Sequence, residues 1–282
     1  MFRGASGRSV LAAASVAAVT VKSRTFALAE GRMGPSYKLH LYDHCPFCVR
    51  AELVMGRLGI PYERVVYGYG QGAPASSPGY GPSDGPIELT GKKMLPVLEG
   101  AGVPTNDPKW AGMPESLDIC SFIIATASDT APNDRKIAPA TDRDDVSDWL
   151  KRVRSVNSGL TRPRIIRMPV KDWADPRDVA YAQWKYTTKM NFKYDEAMES
   201  TSELLLEMQA LLQELEGMLR GRGADGEPYL NQWGFSIDDV KVLPILRNLT
   251  CVPGLTFPPR VKAYLELGCS KSGVSLYEPT PF

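Results

Sequence analysis

An alternating apolar stretch in this chain runs directly into two closely spaced cysteines. Residues 38–42 alternate in the manner of a strand, and residues 43–48 then read Asp-His-Cys-Pro-Phe-Cys. Proline favours the first turn of a helix, because the amide that it lacks would have no acceptor there. We therefore predict a strand that leads into a helix with Cys45 at its N-terminus. Gly59 is the predicted end of that helix, and residues 60–67 form a predicted second strand.

Two cysteines at this spacing can either bind a metal or exchange with disulfides. A structural zinc site needs four thiolate or imidazole ligands, yet Cys120, Cys251 and Cys269 are scattered singly and the chain has only two histidines. We therefore expect no metal. Free amides and the helix dipole at a helix start favour a thiolate. We predict a lowered pKa and a nucleophilic role for Cys45, with Cys48, nearly one turn deeper, as the resolving thiol.

Length and composition limit the remaining possibilities. A chain of 282 residues fits one or two domains. Its 33 basic and 32 acidic residues give no positive field for nucleic acid, so we expect no nucleic-acid partner. Five cysteines, one close pair and three isolated, do not form the framework of a secreted disulfide-rich domain. This pattern favours a reducing compartment.

The N-terminus differs in composition from the rest of the chain. Residues 1–35 contain five basic residues against a single acid, Glu30, which is typical of organellar transit peptides. We predict a disordered targeting segment over these residues, with the mitochondrion favoured and a plastid as the alternative. The secretory pathway is a third possibility, because residues 27–29 read Ala-Leu-Ala. The apolar stretch over residues 10–21 is too short to cross a bilayer, so we expect no membrane span.

A segment rich in glycine, proline, serine and tyrosine follows the second predicted strand. Residues 68–86 contain almost no aliphatic side chains, and such a composition predicts a flexible surface insertion that adds nothing to the core. The alternative is that Tyr69 and Tyr80 contact a substrate. Residues 94–98 then form a predicted strand that Pro96 opens, since proline is tolerated where a strand begins.

Glu115 and Ser116 precede an apolar helical pattern. The free amides of a helix start suit a carboxylate ligand, whereas a simple helix cap is an equally good role for Ser116. Residues 128–142 are polar and contain two prolines, which indicates a linker. We therefore predict one domain over residues 36–127 and a second, all-helical domain over residues 143–282.

Two patterns describe the predicted helical domain. A long leucine and methionine stripe over residues 194–219 indicates helix that packs in a bundle core. Residues 236–239 read Ser-Ile-Asp-Asp before an apolar run, which fits a capping box in the broad sense and predicts the start of a buried helix.

Four blocks of the sequence resemble, in their order and spacing, those of the bacterial glutaredoxin 2 family. They are residues 42–48, 91–98, 113–119 and 246–250, which read YDHCPFC, GKKMLPVL, MPESLDI and LRNLT. The resemblance covers about residues 37–260, and the leader and the long 68–86 segment depart from the family pattern. It implies an α/β thioredoxin-like N-terminal domain followed by an all-α bundle of the glutathione transferase type.

What the resemblance implies is a glutaredoxin, an enzyme that reduces glutathione mixed disulfides and protein disulfides with glutathione as co-substrate. Its partners would be glutathione and glutathionylated or disulfide-bonded proteins, and we expect a monomer. Cys45 and Cys48 would form a redox-active disulfide. Leu95 would hold the cysteinyl backbone of glutathione beside a cis peptide bond to Pro96. The remaining implied contacts are Glu115 and Ser116 to the γ-glutamyl end and Lys93 to the glycyl carboxylate.

Three further residues receive structural roles. His44 is expected to shape the local field rather than act as a general base, and Arg247 and Asn248 are expected to make polar contacts between the domains or in the core. Two other functions fit the same fold. One is a cysteine-type glutathione transferase or dehydroascorbate reductase, and the other is a non-catalytic binding module.

Overall fold

The computed structural model describes residues 37–83, 85–220 and 227–279. The predicted targeting segment, residues 1–35, lies outside these ranges. None of the helices in the described ranges is both long enough and apolar enough to cross a membrane.

The two cysteines follow the first strand of a small mixed sheet. Its strands are β1 (Tyr37–Leu41), β2 (Tyr62–Val66), β3 (Val97–Glu99) and β4 (Met113–Pro114), in the order β2-β1-β3-β4. β1 pairs in parallel with β2, and the other two pairings are antiparallel. A parallel pair needs a crossover connection, and helix α1 (Pro46–Leu58) supplies it. This is the thioredoxin-like arrangement that the sequence predicts.

Local signals define both ends of α1. Pro46 occupies the first turn, and Cys45 is the residue that caps the helix. Gly59 ends the helix in the left-handed region with φ of 71°, a conformation that glycine adopts without a steric penalty. The predicted helix over this segment is confirmed.

Helices make up the rest of the structure. The short α2 (Ile87–Thr90) and then α3 (Ser116–Ala127), which packs against α1, complete the first half. The second half contains α4 (Asp144–Ile165), α5 (Pro176–Met190), α6 (Tyr194–Glu199), α7 (Thr201–Met218), α8 (Ile237–Leu249) and α9 (Pro259–Lys271). Trp149 of α4 is fully buried at the centre of this bundle, and α8 packs against α1. The fold is therefore thioredoxin-like in its first half and a glutathione transferase-type bundle in its second.

The apolar stripe over residues 194–219 is divided between two helices rather than continuous. Ser200 leaves the helical region, with ψ of 8°, between α6 and α7. The hydroxyl of Thr201 donates a hydrogen bond of 2.7 Å to the carbonyl of Met198. Such side-chain bonds compete with the helical ladder.

The capping box before α8 is confirmed. The Asp239 carboxylate accepts hydrogen bonds from the Ser236 amide at 2.7 Å and from its hydroxyl at 2.6 Å. The preceding polar segment is attached at the same place, because Ala138 donates to the carbonyl of Phe235 at 2.8 Å and accepts from the amide of Ile237 at 3.0 Å. The division into two domains at this segment stays a prediction.

The segment over residues 68–86 packs against the helical half, so the prediction that it adds nothing to the core is wrong. Tyr69 and Ala73 are buried. The Gly70 amide donates to the Asp178 carboxylate of α5 at 2.7 Å. A Cβ at Gly70 would lie 3.1 Å from a backbone oxygen of α5. The glycine content therefore allows close packing of the backbone, and aromatic side chains supply the buried surface.

Candidate active site

Two free thiols lie at the start of α1. Cys45 is half-buried at the cap position, and Cys48 is fully buried one turn further along. The sulfur of Cys48 accepts a hydrogen bond of 3.4 Å from the amide of Tyr42. One cysteine is therefore accessible to a substrate while the other is protected behind it.

The surroundings of the two thiols shift their pKa values in opposite directions. A hydrogen bond from Cys48, assisted by His44 and by the amides of Phe47 and Cys48, lowers the pKa of Cys45 to about 6 against the opposing effect of burial. Burial and the neighbouring Cys45 raise the pKa of Cys48 well above its ordinary value. Cys45 therefore carries the thiolate and Cys48 keeps its proton, which is the order required of a nucleophile and a resolving thiol.

A buried carboxylate from the helical half holds the loop before Cys45. Asp172 has no solvent exposure. It accepts hydrogen bonds from the backbone amides of Asp43 at 2.9 Å and His44 at 2.7 Å. The imidazole Nδ1 of His44 lies 2.6 Å from the same carboxylate. No sequence pattern around Asp172 indicated this role.

Helix α8 holds the same loop from a second direction, as the sequence predicts for Arg247 and Asn248. Arg247 donates to the Asp43 carboxylate at 2.8 Å and to its carbonyl at 2.7 Å. Asn248 donates to the carbonyl of His44 at 2.9 Å. Burial alone would raise the pKa of the Asp43 carboxyl, but the charge and hydrogen bond of Arg247 lower this pKa to about 2. The loop is thus fixed by charged groups rather than by apolar packing alone.

The other residues predicted to bind glutathione lie in the thioredoxin-like half. The peptide bond between Leu95 and Pro96 is cis, as the resemblance implies. Glu115 is exposed and caps α3 with φ of 70°, a conformation rare outside glycine. Ser116 is buried and is the first residue inside the helix, so it is not the cap.

Arg50 connects the two helix starts. Its Nη1 lies 3.4 Å from the hydroxyl oxygen of Ser116, and its guanidinium carbon lies 4.8 Å from the centre of the exposed Phe47 ring. The starts of α1 and α3 are therefore at the same end of the pair, which brings two sets of free amides and one guanidinium together. Nothing in the local sequence pattern marks Arg50, so its place at the site could not be predicted.

Lys93 does not face open solvent with a free ammonium group. Its three protons are donated to the hydroxyl of Tyr42 at 2.8 Å and to the carbonyls of Tyr69 and Gln71, each at 2.6 Å. An ammonium has three donors, so none remains for the glycyl carboxylate, the contact that the resemblance implies for Lys93. Burial, with a smaller effect of Lys185, lowers the pKa of Lys93 to about 7.

An aromatic cluster surrounds the redox loop on the side of the helical half. The ring of Tyr69 lies 5.0 Å from that of His44 and 5.1 Å from that of Trp173. Its hydroxyl accepts a hydrogen bond of 2.9 Å from Lys185 and lies 3.0 Å from the hydroxyl of Tyr186. Tyr69 therefore lies beside the redox loop, and the alternative that Tyr69 and Tyr80 contact a substrate stays a prediction.

No group of three or more histidine, cysteine or acidic side chains with metal-binding geometry occurs among residues 37–83, 85–220 and 227–279.

Comparison with known proteins identifies relatives of this chain. Residues 145–280 match the family model of the glutaredoxin 2 C-terminal domain. Glutaredoxin 2 of Escherichia coli strain K12 is 25% identical over 240 residues, which cover 85% of this chain and 97% of that protein. Glutaredoxin 2 of Salmonella typhimurium, crystallised in complex with glutathione, aligns with a TM-score of 0.67 and 25% identity, covering 85% of this chain and 96% of that one. The chain is therefore similar to glutaredoxin 2 over most of its length, and residues 145–280 match the model of that family's C-terminal domain.

Proposed function

We propose that the protein is a glutathione-dependent thiol-disulfide oxidoreductase that reduces glutathione mixed disulfides and protein disulfides. The observation that carries this proposal is the pair of free thiols at a helix start, with the pKa of Cys45 lowered and that of Cys48 raised. Relatives named glutaredoxin 2, one of them solved with glutathione bound, support glutathione as the co-substrate.

In the reaction with a mixed disulfide, the Cys45 thiolate attacks the glutathione sulfur. A bond between Cys45 and glutathione forms, the original disulfide breaks, and the target protein leaves as a thiolate that takes up a proton. The thiolate of a second glutathione then attacks the glutathione sulfur on Cys45. Oxidised glutathione leaves, and the Cys45 thiolate is restored.

A protein disulfide requires the second thiol. Cys45 attacks one sulfur of the substrate and releases the other as a thiol. Cys48 then loses its proton and attacks the Cys45 sulfur, which releases the reduced protein and leaves a disulfide between Cys45 and Cys48. Two molecules of glutathione reduce that disulfide. The raised pKa of Cys48 keeps it protonated until the mixed disulfide has removed the charge of Cys45.

We place glutathione along the thioredoxin-like half. The backbone of Leu95, beside the cis bond to Pro96, would pair with the cysteinyl unit, and Glu115 and Ser116 would take the amine and carboxylate of the γ-glutamyl unit. Lys93 is left out of this arrangement because its donors are occupied.

The test compares cysteine variants of the full chain in a glutathione-coupled assay. Cys45→Ser should abolish the reduction of both substrate types. Cys48→Ser should still reduce a glutathionylated peptide but lose the reduction of a protein disulfide. Cys251→Ala, which removes a buried thiol of the helical half, serves as the control. Full deglutathionylating activity in Cys45→Ser would overturn the proposal.

The same assay separates the other functions that fit the fold. A cysteine-type transferase or dehydroascorbate reductase would prefer an electrophilic aryl halide or dehydroascorbate over the mixed disulfide. A binding module would turn over none of these. The presence of a resolving thiol at Cys48 favours the oxidoreductase.

For location, we propose that residues 1–35 direct the protein to the mitochondrion. Fusion of these residues to a fluorescent protein tests this, and a plastid or secretory signal would contradict it.

A further inference from the structure

Two cations of the helical half lie beside the aromatic cluster without an acidic partner. Lys185 of α5 is half-buried and donates to the hydroxyl of Tyr69 at 2.9 Å. Arg162 of α4 is also half-buried, and its guanidinium carbon lies 4.5 Å from the centre of the Tyr186 ring and 5.0 Å from that of Phe192. Neither forms an ion pair with a carboxylate in the described part of the chain.

This positive charge is close to the reacting sulfur. Tyr69 contacts Lys185 through its hydroxyl and packs 5.0 Å from the ring of His44, the residue before Cys45. Burial lowers the pKa of Lys185, and the Cys45 thiolate acts in the opposite direction, so the two charges interact. Lys185 therefore lies within electrostatic range of a substrate bonded to Cys45.

Two carboxylates that bind the redox loop and the segment of Tyr69 are already occupied. Asp172 is buried beneath the loop before Cys45 and accepts the amides of Asp43 and His44. Asp178 accepts the amide of Gly70 and the hydroxyl of Tyr80, at 2.7 and 3.3 Å. These hydrogen bonds fix both carboxylates within the packing of the protein, and the contacts of Lys185 and Arg162 are instead to uncharged groups, the hydroxyl of Tyr69 and the sulfur of Met190.

The position of glutathione in the site determines which part of a mixed disulfide lies near Lys185 and Arg162. In the proposed function, glutathione occupies the thioredoxin-like half near Leu95 and Ser116. The other half of a mixed disulfide must extend away from glutathione. On the side of the helical half, Lys185 contacts Tyr69, and Arg162 stacks on Tyr186, whose hydroxyl lies 3.0 Å from that of Tyr69.

We propose that Lys185 and Arg162 form a subsite for carboxylate side chains on the protein part of the substrate. The enzyme would thus favour a target cysteine that is flanked by aspartate or glutamate. This inference rests on the proposed function and goes beyond it, because it names the class of protein that the site accepts. Half-exposed charges act through a partly screened field, so the preference should be modest and should weaken as salt is added.

The experiment uses the full chain and three peptides that differ only beside a glutathionylated cysteine, carrying glutamate, serine or lysine there. With glutathione as reductant, kcat/KM should be about tenfold higher for the glutamate peptide than for the lysine peptide at low salt. The double variant Lys185→Gln, Arg162→Gln should bring the two values to within about twofold. Lys185→Arg with Arg162 intact should keep the preference.

The control and the readout separate charge recognition from damage to the site. Lys151→Gln removes an exposed positive charge from α4 three turns before Arg162, about 16 Å away, and should keep the preference. Any change in the pKa of Cys45 affects all three peptides equally, so it cancels in the ratio of their kcat/KM values. Equal turnover of the peptides by the unmodified enzyme, or an unchanged ratio in the double variant, would overturn the inference. Failure to reduce any peptide would instead overturn the proposed function.

Discussion

Replacing Cys48 tests how the structure activates Cys45. The hydrogen bond from Cys48 is the largest effect that lowers the pKa of Cys45 from 9.0 to about 6. At pH 7.5 a thiol of pKa about 6 is about 97% thiolate, whereas a thiol of pKa 9.0 is about 3% thiolate. Cys48→Ala removes the donor, so we expect the pKa of Cys45 to rise. Because His44 and the helix amides remain, the pKa of Cys45 should stay below its ordinary value. Cys48→Ser retains a hydroxyl donor and should raise the pKa of Cys45 less than Cys48→Ala does.

The measurement is the ultraviolet absorbance of the thiolate as the pH is raised from about 4 to about 9. The other thiols do not interfere, because burial raises the pKa values of Cys120, Cys251 and Cys269 to about 12. The activity of the unmodified enzyme should fall as the pH drops below about 6, since protonation then removes the nucleophile. If Cys48→Ala titrates at the same pH as the unmodified protein, the hydrogen bond does not activate Cys45 and our reasoning is wrong.

Three further variants test the groups that hold the site. Asp172→Ala removes the acceptor of two buried amides before Cys45, so chemical denaturation should show a loss of ~3 kcal/mol or more in the free energy of unfolding. Arg247→Met removes two hydrogen bonds to Asp43 and leaves its half-buried carboxylate with Arg64, 2.9 Å away, as the remaining cation, so it should cost about 1.5 to 3 kcal/mol in the free energy of unfolding at neutral pH. The folded pKa of Asp43 is about 2, below its ordinary 3.8, so this stabilisation is present above pH 3.8 and is lost as the pH falls through about 2. The difference between the two proteins should shrink over that range. Lys93→Met removes three hydrogen bonds and should make the glycine-rich segment that it holds more sensitive to limited proteolysis.

Features that depend on adjacent residues could be predicted from the sequence. The start of α1 follows from Pro46, and its end follows from Gly59. The start of α8 follows from Ser236 and Asp239, which are three positions apart. In each case the residues that decide the conformation lie within one turn of the boundary, so no knowledge of the fold is needed.

Features that depend on distant contacts could not be predicted in this way. Asp172 meets His44 across 128 positions of the chain, and nothing near either residue indicates the pairing. The residues around Lys93 in the sequence do not reveal that the fold places the carbonyls of Tyr69 and Gln71 around its ammonium group. The composition of residues 68–86 predicts a flexible segment. It does not reveal that the ring of Tyr69 is buried against Trp173 of the helical half.

The hydrogen bonds that Asp172, Arg247 and Asn248 make to the loop before Cys45 have a consequence for folding. That loop cannot open as an independent fluctuation, because opening it would leave several buried charged and polar groups unpaired in the bundle. The amides of Asp43 and His44 should therefore exchange with solvent as slowly as the most protected helices. We therefore expect the loop before Cys45 to open only when the bundle unfolds. A substitution far from Cys45 that loosens α8 should then also reduce the reactivity of the Cys45 thiolate.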